Sequence, residues 1–83
     1  MKVQVVKKDN AVSLQIYTEF IKLQDAMKFA NVVVTGGEAK QEILDGRVKV
    51  NGEVCTMRGK KLYPGDTFSY MGGIYRICSN AAE

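Results

Sequence analysis

The apolar residues of this 83-residue chain change period along its length, and that switch constrains the fold more than any other feature. Val3 and Val5, then Val12, Leu14, Ile16, Thr18 and Phe20, recur at every second position. A strand sends alternate side chains to opposite faces, so this spacing predicts two half-buried strands joined by the polar turn Lys7-Lys8-Asp9-Asn10. From Lys22 the spacing lengthens to three and four, through Leu23, Ala26, Met27 and Ala30, which predicts a helix ending near Asn31. Asp25 falls in its first turn, where the helix dipole favours an acid, and Asn31 suits a left-handed terminator. Short alternating runs return after Gly46. Strands, then two helices, then strands make the class α+β.

Between the helices, Val32-Val33-Val34 is too short for a helix and is expected to be a buried connector. Thr35-Gly36-Gly37-Glu38 then fits a capping box: the Thr35 hydroxyl accepts from the Glu38 amide, and the Glu38 carboxylate reaches back to the Thr35 amide. The second helix is expected from Gly36 to no further than Gly46. At ~100° per residue Ala39, Ile43 and Leu44 form its apolar face, with Glu38, Glu42 and Asp45 opposite as a solvated surface. Lys40 lies at the flank, where its stem can lie on the core edge and its ammonium at the rim.

Asn51-Gly52 between Val50 and Val54 predicts a tight hairpin, because this pair tolerates the positive φ angles of a two-residue turn. Arg58-Gly59-Lys60-Lys61 reads as a basic loop and Tyr63-Pro64-Gly65-Asp66 as a turn. Residues 67–70 and 74–78 read as strands around Gly72-Gly73, and 79–83 as a frayed tail. Phe20, Phe29 and Phe68 are expected in the core, which argues against reading of a single strand by serial base stacking.

A chain this short buries only roughly 60 to 65% of its unfolded surface, which leaves little room for a deep cleft. It is expected to be one domain over residues 1–83, monomeric, with a hairpin at 1–21, a core at 22–66 and closing strands and tail at 67–83. Its 46% hydrophobic and 25% charged residues are normal for a globular domain, and a single Pro with eight Gly does not suggest disorder. No run approaches the roughly 18 apolar residues of a membrane span, and residues 1–6 carry no secretory pattern, so a cytoplasmic location without a membrane partner is expected. Cys55 and Cys78 stand in no Cys-x-x-Cys arrangement and there is no His, so no metal site is expected. The two thiols are read as small strand hydrophobes, with a disulfide the minor alternative. A Walker loop and a Gly-x-Ser-x-Gly elbow are both missing, so neither cofactor nor catalysis is expected.

Charge is unevenly placed. Residues 47–61 hold five of the 12 Lys and Arg against one acid, Glu53, so the whole positive excess of the chain comes from this window. Set next to a Thr-Gly-Gly turn that opens a helix, such a concentration suits contact with a phosphate backbone.

From Leu23 to Asp66 the chain resembles the RNA-binding domain named after ribosomal protein S-four, the alpha-L module. The match rests on Leu23, Met27-Lys28-Phe29-Ala30-Asn31, Thr35-Gly36-Gly37-Glu38-Ala39-Lys40, Ile43, Gly46, Val48-Lys49-Val50-Asn51-Gly52, Arg58, Lys60-Lys61-Leu62 and Gly65-Asp66. Within that family it is most similar to small stand-alone bacterial members. The resemblance implies two packed helices against a short bent antiparallel sheet, here with an added amino-terminal hairpin. It also implies structured RNA, typically ribosomal, lying against the helices and the adjoining loop, in ribosome assembly or translation. Gly36 departs from the pattern, since many relatives place there an Arg that touches phosphate.

The candidate RNA-binding residues are Lys28, Thr35, Gly36, Gly37, Lys40, Arg47, Lys49, Arg58, Lys60 and Lys61. Amides at Gly36 and Gly37 are suited to receive a phosphate at the positive helix end, or else the glycines serve close packing of the two helices. Lys28 and Lys40 would hold neighbouring phosphates, with Arg58, Lys60 and Lys61 as a second wall. Arg47 and Lys49 share a strand face that either meets solvent or extends the basic surface. The competing reading is a protein-interaction adaptor that uses the basic surface or an amino-terminal edge strand.

Overall fold

The computed structural model describes residues 3–8 and 11–79. Strands β1 (Val3–Lys8) and β2 (Ala11–Ile16) pair antiparallel, from Val3↔Ile16 to Lys8↔Ala11. Lys7 and Lys8 therefore belong to β1 and not to the expected turn. Asp9 and Asn10 of that turn, and 80–83 of the expected tail, lie outside the described residues. The alternating pattern through Thr18 and Phe20 overstates β2. It stops at Ile16, and the Thr18 hydroxyl donates to the Phe20 carbonyl at 2.8 Å across a bend.

A two-residue strand, β3 (Ile21–Lys22), runs straight into α1 (Leu23–Phe29). Leu23, Ala26 and Met27 form the buried face of α1, each at 0% exposure, as their spacing requires. The helix ends where expected, with Asn31 at φ 66°. Helix α2 (Gly36–Leu44) starts at the Thr35 cap, whose hydroxyl accepts from the Glu38 amide at 3.1 Å. The return bond differs from the expected box. With Thr35 extended at φ −128° and ψ 163°, the Glu38 carboxylate closes one residue upstream, on the Val34 amide at 2.9 Å. Of the expected buried connector Val33 enters the core, Val32 packs half-buried against it, and Val34 is 86% exposed.

The remaining strands are β4 (Val48–Val50), β5 (Glu53–Val54), β6 (Lys61–Leu62), β7 (Thr67–Tyr70) and β8 (Gly73–Ser79). Asn51 and Gly52 make the β4–β5 turn at φ 51° and 88°. Met71 and Gly72 make the β7–β8 turn at φ 50° and 82°, one residue before the expected Gly-Gly pair, and Gly73 opens the strand.

The class is α+β, as expected, but the main sheet is mixed. Its order is β1-β2-β8-β7-β4-β5, and β2 pairs parallel with β8 from Ala11↔Ile74 to Ile16↔Ser79. Parallel neighbours need a long crossover, which the helices and the β4–β7 segment supply. Strands β3 and β6 form a separate antiparallel pair. One core lies between the helices and the main sheet, built on Leu14, Met27, Ile43, Phe68 and Ile77, none more than 1% exposed. Two of the three expected core phenylalanines are displaced from it. Phe29, the last residue of α1, is 36% exposed, and Phe20 sits half-buried after the bend.

Candidate nucleic-acid interface

The first helical bond of α2 is from the Ala39 amide to the Thr35 carbonyl, at 3.1 Å. The Glu38 amide is taken by Thr35 Oγ1. The amides of Gly36 and Gly37 have no partner among the described residues, and they sit where the helix dipole is positive. A methyl group built on Gly36 would meet Lys28 Nζ at 4.0 Å, and one on Gly37 would meet Thr35 Oγ1 at 3.9 Å. Both are ordinary contacts, so close helix packing does not demand either glycine. The first of them also puts the Lys28 ammonium over the start of α2. Lys40 lies one turn on, exposed, on the same side of α2 as Gly36.

Lys28 also approaches Asp25 Oδ1 at 3.6 Å, with 40% and 30% of the two side chains exposed. Such an i,i+3 pair contributes no more than about 0.5 kcal/mol, so it does not compete seriously with a phosphate.

A second group forms at the other end of α1. Lys22, its N-cap residue, makes no side-chain cap bond. The basic loop caps the helix through its backbone: the Leu23 amide donates to the Lys60 carbonyl at 2.9 Å and the Gln24 amide to the Arg58 carbonyl at 3.1 Å. These bonds hold the loop against α1 while Arg58, Lys60 and Lys61 remain exposed. Lys61 stands opposite Lys22 in the β3–β6 pair, with its ammonium 4.8 Å from the centroid of the Phe20 ring. Lys22 is a cation the sequence reading missed, because a two-residue strand has no periodicity to reveal it.

Arg47 and Lys49 form a third group, just past the carboxyl end of α2 and on β4. They line an open groove with Ser69, Tyr70 and residues 71–74. Arg47 Nη1 lies 3.6 Å from Glu42 Oε1, and the same oxygen accepts from the Tyr70 hydroxyl at 2.9 Å. Glu42 is therefore half-buried and engaged, not part of a solvated acidic face. Tyr70 is pushed above its ordinary pKa of 10.0, first by burial and then by the bond to Glu42 and its charge; Glu38 adds to this and Arg47 opposes it.

Cys55 and Cys78 are both free. Among the described residues no group of three His, Cys, Asp or Glu is placed to hold a metal, and no helix is long and apolar enough to cross a membrane.

The S4 domain family model matches residues 14–78, from the middle of β2 through most of β8, which takes in all three basic groups. The chain belongs to the S4 domain family. It is also 41% identical over 59 residues to a Bacillus subtilis (strain 168) protein described as "Probable ribosome maturation protein RlbA", covering 71% of this chain and 83% of the relative. For this S4 domain, RNA binding is the function at family level, and the resemblance read from residues 23–66 is the family found.

Proposed function

We propose that this S4 domain binds structured RNA, ribosomal RNA first among the candidates, through phosphate contacts, and acts in ribosome assembly or maturation in the cytoplasm. It works by holding RNA and not by catalysis. The observation that carries the reading is the pair of unpaired amides at Gly36 and Gly37 with the Lys28 ammonium beside Gly36. A phosphate placed there gains backbone donors, a helix dipole and a mobile cation together. Lys40 extends that contact along α2, and Arg58, Lys60 and Lys61 with Lys22 add a second one beyond the other end of α1. The described name of the Bacillus subtilis relative supports the ribosomal assignment.

About four or five phosphate contacts predict that log affinity falls with log salt at a slope of roughly −3 to −4. Filter binding of ribosomal RNA fragments across a salt series measures it, and a slope near zero removes the phosphate mechanism. RNA that co-purifies with the protein and is lost on nuclease treatment is the companion result.

A second reading is favoured by one feature of the sheet, namely that β1 is an edge strand. An adaptor role would use that edge to pair with a strand of another protein. Capture of a single protein that survives nuclease treatment would support it.

A further inference from the structure

The β3–β6 ladder sends Ile21 and Leu62 into the core, at 1% and 0% exposure, so its other face is turned to solvent. In the register of this pair Lys22 faces Lys61. Continued by one residue, that register sets Phe20 against Tyr63, and the two rings are 5.7 Å apart at 50°. Two aromatic rings and two ammonium groups thus share one small tile. Like charges directly opposite in a ladder are destabilising, and neither lysine has an acidic partner among the described residues. Lys61 over the Phe20 ring offsets only part of that repulsion.

Tyr63 is 43% exposed, yet its backbone is tightly held. Its amide donates to Asp66 Oδ2 at 2.8 Å, Asp66 Oδ1 accepts from Asn51 Nδ2 at 3.2 Å, and Asn51 Oδ1 accepts from the Thr67 amide at 3.0 Å. The ring is therefore presented from a braced turn, which lowers the ordering cost of stacking against it.

We propose that Phe20, Lys22, Lys61 and Tyr63 form a subsite for an unpaired nucleotide of the bound RNA, its base stacked on Tyr63 and its phosphate between Lys22 and Lys61. The proposal rests on the RNA-binding reading above and narrows it to RNA that carries an unstacked base beside a helical stem. Aromatic rings give the base a face whatever its identity, and the lysine pair takes the charge that comes with it.

The test compares an RNA hairpin carrying one bulged 2-aminopurine with the same hairpin fully paired. Wild-type protein and Tyr63→Phe are expected to quench the 2-aminopurine and to prefer the bulged RNA. Tyr63→Ala should lose the quenching and roughly 5- to 150-fold of affinity for the bulged hairpin, the range for one base–aromatic stack, and almost none for the paired one. Lys22→Glu should weaken both. Equal losses for the two hairpins with Tyr63→Ala, or quenching that persists in that variant, overturn the subsite and leave RNA binding intact. Failure of the wild-type protein to bind either hairpin overturns the RNA-binding reading itself.

Discussion

At its start α2 leaves the amides of Gly36 and Gly37 unpaired, with the Lys28 ammonium beside Gly36, whereas at its end Glu42 meets both Arg47 and Tyr70. The two ends look alike in the sequence and have different physical standing. Lys28 gives up at most an exposed i,i+3 pair when it meets another anion. At the far end the fold depends on the carboxylate: Glu42 accepts from a phenol buried to 6% exposure, while Arg47, its side chain 62% exposed and 3.6 Å from Glu42, makes a pair as open as that of Lys28.

The largest effect expected from breaking this contrast is at the tied end. Glu42→Ala strands the Tyr70 hydroxyl and should cost about 2 kcal/mol in a urea melt, while RNA affinity well below the melting temperature stays within about twofold. A tenfold loss of affinity there would show that the two ends are not separable. At the open end the pattern should invert. Lys28→Glu should reduce RNA affinity about tenfold, equivalent to ~1.4 kcal/mol, with folding stability changed by no more than about 0.5 kcal/mol. Thr35→Ala sharpens the comparison further, because it removes the cap while leaving the Gly36 and Gly37 amides in place. It should cost about 1 kcal/mol of stability, and an affinity that falls by as much as with Lys28→Glu would mean the cap is part of the RNA contact.

The smallest effect is in pH. Because the folded state raises the Tyr70 pKa above 10.0, the phenol's contribution is complete below about pH 10 and is lost as pH rises through the raised value. Wild-type stability should therefore drop above pH 10 more steeply than that of Tyr70→Phe. Parallel curves for the two proteins in chemical melts from pH 8 to 11 would contradict the assignment.

Much of the helical half was legible from local chemistry. Thr35 had a hydroxyl to cap with, Asn31 tolerates the left-handed region, and Asn51-Gly52 is suited to a two-residue turn; each acts through its own backbone or a near neighbour. Glu42 was misjudged as solvated because its partners, Tyr70 on β7 and Arg47 past the helix end, are brought to it by packing. Phe20 was assigned to the core because alternation continued through it on paper, while Thr18 bends the chain first. The basic loop was recognisable from composition, but its role in capping α1 was not, since the carbonyls of Arg58 and Lys60 reach amides far upstream.

The order of side chains therefore set where helices start, where turns close and where positive charge collects, because those outcomes depend on interactions a few residues long. Folding in three dimensions chose the parallel match of β2 with β8 and the short match of β3 with β6. Those pairings place Lys22 and Phe20 beside Lys61 and Tyr63. Non-local registers of this kind are selected by which faces must be buried together, and that burial involves the whole molecule at once.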